Sequence, residues 1–145
     1  MFDKHSDIIQ HTLANADAPH VRQHDFLSAG TEVTFLDTGV IKFEPNTACD
    51  TSLVISCAVH GNETAPIEII SRIIDDLLAE EQKCGQRILF ILANPWSMVA
   101  AERFVDLNMN RLFCGQWQHQ DLTLKEVKRA AKLEAYVANF YAEEP

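Results

Sequence analysis

The stretch SCAVHGNETAPIEII, residues 56–70, sets an imidazole and a carboxylate three positions apart, at His60 and Glu63. Zinc accepts imidazole nitrogen and carboxylate oxygen, and a catalytic zinc site keeps three protein ligands and one open position. A tight turn at the end of a strand, eased by Gly61, can aim both side chains at one point. HxxE alone is a common pattern, so two readings stand side by side. His60 and Glu63 are a pair of metal ligands, or they form a polar turn in which His60 bonds a backbone carbonyl and Glu63 sits at a helix start, where the macrodipole favours it. Cys57 with His60 would make a Cys/His pair, but no second pair exists to complete a structural site. Cys57 is therefore assigned to packing.

The second chemical segment is ANPWSMVAAERFVDLNMNRLF, residues 93–113. It gathers Asn94, Arg103, Asp106, Asn108, Asn110 and Arg111 between apolar residues. Arginine is the side chain best shaped to hold a carboxylate through two parallel hydrogen bonds, and a neighbouring asparagine adds a neutral donor. Taken alone, the segment reads slightly better as a surface loop with two solvated arginines. One metal-suited loop and one anion-suited loop at the ends of neighbouring strands make a stronger case together.

Those loops need elements to position them. SLVISCAV (52–59) and RILFILA (87–93) are nearly continuous apolar runs, suited to strands covered on both faces of a parallel or mixed sheet. Between them the spacing predicts a helix over about 65–80, with Thr64 as cap and Pro66 in the first turn. Ile67, Ile70, Ile74, Leu77 and Leu78 share one face of that helix. This is a strand–helix–strand unit, and in open α/β sheets ligands bind at the carboxyl ends of the strands. A second amphipathic helix is predicted over about 123–142, capped by Asp121 or Thr123. Two shorter strands, 31–36 and 39–44, flank the hairpin signal Asp37-Thr38-Gly39, and residues 5–14 suit a short helix. The segment 93–113 is read as loop.

The bulk numbers bound the partners. A 145-residue chain with 47% apolar residues is one domain's worth of polypeptide, long enough to bury a core. A net charge of −9 speaks against nucleic acid or an anionic membrane surface as a main partner. Four scattered cysteines without a CxxC pair, and a polar N-terminus without a signal-peptide pattern, predict a soluble cytoplasmic protein.

With both segments in view, VHGNETAPIE followed by NPWSM…ERFVDLNMNRLFCGQWQ resembles the N-terminal portion of the succinylglutamate desuccinylase/aspartoacylase family of zinc carboxypeptidase-like hydrolases. The likeness runs from about residue 30 to 145. It implies an α/β fold, a zinc-carboxypeptidase-like mixed sheet flanked by helices and truncated in this chain. It implies one Zn2+ per full-length subunit, with His60 and Glu63 as the first two ligands. It gives Arg103 a role at the scissile carbonyl and makes Asn110 and Arg111 the pair that binds a substrate carboxylate. The implied reaction is hydrolysis of N-succinylglutamate to succinate and glutamate in arginine catabolism. Alternatives are a hydrolase of another N-acyl amino acid and a non-catalytic binding module.

The chain departs from the family pattern at two places near the site. The family commonly has aspartate where this chain has Asn108, and often glycine where it has Ala101. The resemblance also places a third ligand, a histidine, and the catalytic glutamate beyond residue 145. His119 comes too early to supply that ligand, and His5, His11, His20, His24 and His119 are each assigned to the surface. With two ligands the 145 residues alone are expected to bind zinc poorly and to hydrolyse nothing at a useful rate. The expected partners are a small N-acyl amino acid and, through a cut sheet edge, a second copy of the chain.

Overall fold

The structure is a computed structural model that describes residues 7–143. Five strands form one mixed sheet: β1 (Gln23–Phe26), β2 (Glu32–Asp37), β3 (Val40–Glu44), β4 (Ser52–Cys57) and β5 (Arg87–Leu92), in the order β1-β2-β3-β5-β4. β1, β2, β3 and β5 pair antiparallel in turn, and β4 lies parallel to β5. Four helices accompany them: α1 (Ile8–Ala14), α2 (Thr64–Leu78), α3 (Pro95–Ala100) and α4 (Lys125–Ala142).

The alternation of side chains along the central strands builds a core on each face. Ile41 and Phe43 of β3 and Phe90 and Leu92 of β5 join Ile8 of α1 and Ile67, Ile74 and Leu77 of α2. Their neighbours Val40, Leu89 and Ile91 point the other way, onto Val127, Leu133 and Phe140 of α4. The result is a mixed sheet flanked by helices, as the apolar runs require. No helix among the described residues is long and apolar enough to cross a membrane.

Several expectations need correction. β5 is buried along its length, but β4 is not, with Leu53 and Ser56 exposed. β4 is the last strand of the sheet, and an apolar run cannot reveal whether a further strand covers its outer edge. β1, with the sequence QHDF, is held by pairing with β2 and carries no apolar alternation to announce it. α3 occupies part of the segment read as loop; its signal was Asn94-Pro95, a capping asparagine with proline in the first turn. Thr64 does not cap α2. That place falls to Glu63, whose carboxylate makes no capping bond because it faces His60. Likewise Leu124, not Asp121 or Thr123, precedes α4; Asp121 instead accepts the Thr123 N–H at 2.8 Å and its hydroxyl at 2.7 Å. His24 and His119 are exposed as expected, but His11 and His20 are half-buried, and His5 lies outside the described residues. His11 packs against the Phe35 ring, and His20 Nε2 lies 3.0 Å from the Phe35 carbonyl.

Candidate active site

β4 and β5 run side by side and release the two chemical segments at the same edge of the sheet. The chain leaves β4 through Ala58, a buried residue with φ +56°, in the left-handed region that a side chain resists. This kink precedes His60. Main-chain bonds from Ala93 N–H to the Cys57 carbonyl and from Asn94 N–H to the Ala58 carbonyl, both 2.9 Å, hold the two exits together.

Gly61 was expected for its freedom to turn. Its φ is not in the left-handed region, and its requirement is for space: a Cβ there would stand 2.0 Å from the Ser97 carbonyl carbon of α3. The backbone of α3 lies directly on the His60 turn, so only hydrogen fits between them. α3 is seated by Asn94, which is fully buried. Its Oδ1 accepts the Ser97 N–H at 3.2 Å and its Nδ2 donates to Glu126 of α4 at 3.1 Å.

Glu126 is the site residue that sequence reasoning missed. It is buried, and its carboxylate accepts the N–H groups of Val105 (2.6 Å), Asp106 (2.8 Å) and Leu107 (3.0 Å) in succession. Three consecutive amides wrapped on one anion fix the path of the loop between Arg103 and Asn108. Burial opposes ionisation of Glu126, but the bonds from Val105, Leu107, Asn94 and Asp106 outweigh it and hold the carboxyl below its ordinary value. A glutamate on the core-facing stripe of a helix was the available signal, since buried carboxylates are rare without partners.

Four of the named polar residues then meet. His60 is buried; its Nδ1 lies 2.8 Å from Glu63 Oε1 and its Nε2 lies 3.0 Å from Asn108 Oδ1. Arg103 donates from Nη1 to the same Glu63 oxygen at 3.4 Å, and both of these side chains are about half exposed. Asn110 and Arg111 sit on a short 3-10 turn, Met109–Arg111, anchored by the buried Met109. Their side chains are exposed and form no hydrogen bond or ion pair among the described residues. The tie from this turn to His60 runs through Asn108, whose Oδ1 also accepts the Asn110 N–H at 3.2 Å. Asp106 is exposed, away from this contact.

The donor set suits a divalent cation of zinc's preference: a ring nitrogen and a carboxylate oxygen at hydrogen-bond distance, open to solvent on the Glu63 side. Among the described residues no third His, Cys, Asp or Glu joins them, and no other such group of three forms. Cys57 does not qualify as a thiolate donor, because burial pushes its thiol up to about 11. A cavity of about 440 Å³ lies elsewhere, between the start of α3, α4 and the β2–β3 turn. Three of its four lysine and arginine side chains are paired, Lys125 with Asp17 and both Arg129 and Lys132 with Asp37, while Lys128 also lines it.

Known proteins resemble this chain over most of its length. Residues 49–145 match the model of the succinylglutamate desuccinylase/aspartoacylase catalytic domain. The chain is 49% identical to a succinylglutamate desuccinylase from Idiomarina loihiensis, over 82% of this chain and 35% of the relative. It is 44% identical to one from Shewanella frigidimarina, over 93% of this chain and 40% of the relative. The solved structure of succinylglutamate desuccinylase from Chromobacterium violaceum superposes with a TM-score of 0.87 at 33% identity, covering 97% of this chain and 43% of that one. The corresponding structure from Vibrio parahaemolyticus gives 0.82 at 32% identity, covering 95% and 46%. The chain thus spans less than half the length of each of these relatives.

Proposed function

The chain belongs to the succinylglutamate desuccinylase/aspartoacylase family, and from that premise we propose that it carries part of the active site of a zinc-dependent amide hydrolase cleaving N-succinylglutamate to succinate and glutamate in arginine breakdown. The observation that carries the reading is the convergence of His60 Nδ1 and Glu63 Oε1 at the carboxyl edge of β4, with Arg103 beside them.

In this reading His60 and Glu63 hold Zn2+, which when bound supplies a Lewis acid for the amide carbonyl and acidifies a water. Arg103 keeps a guanidinium next to the pair, where negative charge develops on the carbonyl oxygen during attack. Asn110 and Arg111, free of other bonds, hold a substrate carboxylate and so fix the amide in place. Glu126, through the 105–107 amides, keeps Arg103 and Asn108 on one side of the sheet edge. The third ligand and the glutamate that carries the proton from water to the leaving amine are assigned to the part of the relatives' length that these residues do not cover. A cytoplasmic setting suits the free state of all four cysteines. The open edge of β4, with Leu53 exposed, is the surface through which the isolated chain self-associates, a behaviour that sedimentation would reveal.

The test is a graft. The matching 119 residues of this chain replace their counterparts in the Idiomarina relative, and glutamate release from N-succinylglutamate is measured with and without His60→Ala. Activity in the graft, abolished by the substitution and absent from the isolated chain, is the expected result. A folded graft that is inert, or that prefers N-acetylaspartate, contradicts the proposal.

A further inference from the structure

The cavity of about 440 Å³ beside α3 has one wall that carries a single sign of charge. Lys125, Lys128 and Lys132 line it from α4, at the spacing that keeps residues on one helix face. Beneath them Arg129 and Asp37 are buried and pair at 3.2 Å, and Arg129 gives its other donors to the carbonyls of Ala93, Thr38 and Leu92. That floor is a closed set with little charge to offer a ligand. The rim differs. Asp37 Oδ2 already takes the Arg129 guanidinium and the Tyr136 hydroxyl, each at 3.2 Å, so the mostly exposed Lys132 stands off at 3.5 Å. Lys125 lies 2.5 Å from Asp17 and 5.4 Å from the centre of the Trp96 ring, but both partners of that ion pair are at the surface, where such pairs are weakly held. The Lys128 ammonium makes no hydrogen bond or ion pair among the described residues. Its charge acts without contact on Asp121, whose carboxyl is held down first by Thr123. Each ammonium has three N–H groups and no acceptor, so the rim holds donors in excess of the oxygens that face it.

We propose that this rim binds a small multivalent anion, a polycarboxylate or a polyphosphate, gripped by Lys125, Lys128 and Lys132 beside Trp96. Lysine is a point charge and imposes no planar fork, so the number of charges, not carboxylate or phosphate shape, decides what enters. Neighbouring lysines here are three and four residues apart, about 4.5 and 6 Å along the helix axis, a gap that two anionic groups of one small molecule span. A monovalent ion meets one ammonium at a time. The chain as a whole, with a net charge of −9, repels anions, so any attraction is confined to this rim. An entering anion draws Lys125 from Asp17 and Lys132 from Asp37; Asp37 keeps Arg129 and Tyr136. None of these residues belongs to the His60–Glu63 pair, so the site is additional to the hydrolytic one. The two share supports. Trp96 precedes Ser97, whose backbone packs on Gly61, and Lys125 precedes Glu126, so an occupant bridges the same α3 and α4 that seat the candidate active site.

The experiment is calorimetric titration of the full chain at neutral pH and low ionic strength, without added metal, with citrate, pyrophosphate and acetate in separate arms. One-to-one binding of citrate, pyrophosphate or both, with acetate silent, is expected, and the two polyanion arms tell a carboxylate source from a phosphate one. Lys128→Gln should weaken binding about two- to fivefold, and Lys125→Gln combined with Lys128→Gln about tenfold, while Lys128→Arg keeps it. Lys128 is exposed and its ammonium is unbonded among the described residues, so these variants fold; circular dichroism checks it. Lys83→Gln, at an exposed lysine outside the cavity, should change nothing. Tryptophan emission should shift with the same midpoint and lose that shift in Trp96→Phe, which leaves Trp117 in place. No heat from either polyanion up to about 10 mM overturns the proposal, as does acetate binding equally well. A loss matched by Lys83→Gln, or an emission shift that survives Trp96→Phe, overturns it too.

Discussion

Glu126→Gln removes one oxygen acceptor from the centre of the site and puts an amide in its place. The carboxylate takes four N–H donors, two on each oxygen: Val105 and Asn94 on Oε1, Asp106 and Leu107 on Oε2. A carboxamide serves only one of these pairs, because its nitrogen would face two other donors. Each hydrogen bond to a charged group contributes about 1.5–3 kcal/mol, so two lost bonds represent about 3–6 kcal/mol before relaxation. The loop itself is exposed at Val105 and Asp106, so water recovers part of this. The net cost is expected to be about 2–4 kcal/mol, read as a lowered urea midpoint at unchanged slope. Hydrogen exchange should show amides 105–107 losing protection first. The pH dependence has a definite sign. The folded-state carboxyl titrates below the ordinary glutamate value of 4.5, so its contribution is whole above that value and is lost as pH falls through the depressed one. The gap between wild type and variant should therefore narrow on acidification below 4.5. A destabilisation under about 0.5 kcal/mol, within the range of ordinary surface substitutions, would refute the role given to this carboxylate, as would a gap independent of pH.

Gly61→Ala should destabilise the chain by about 1–3 kcal/mol or more, since the atom its Cβ meets at 2.0 Å is α3 backbone and not a movable side chain; thermal unfolding monitored by circular dichroism measures it. Ala101→Gly should leave stability unchanged or raise it by up to about 1 kcal/mol, because Ala101 ends α3 at φ +53°, where glycine carries no Cβ penalty; a fall in the denaturation midpoint would count against that account. Iodoacetamide near neutral pH should label the exposed Cys114 and spare Cys57, whose thiol burial pushes up to about 11, and mass spectrometry of the digested protein distinguishes them.

Much of this architecture was legible before any coordinates. Period-two and period-3.6 patterns are local properties of a chain, so β2, β3, β4, β5, α2 and α4 were all expected near their observed places, with ends displaced by the competing polar contacts of Glu63 and Asp121. The contact of His60 with Glu63 was one of two readings that the three-residue spacing left open, and the family resemblance, not the spacing, favoured it. What no local pattern contains is the partner of a side chain distant in sequence. That Gly61 is required by the backbone of α3, that Glu126 gathers the loop before Asn108, and that Asn108 reaches the far nitrogen of His60 all depend on residues 19 to 48 apart brought together by the parallel pairing of β4 with β5 and the packing of α4 on the sheet. Residue types and their spacing determined which chemistry this protein is equipped for. Packing alone decided which of these side chains meet, because contact is a property of neighbours in space.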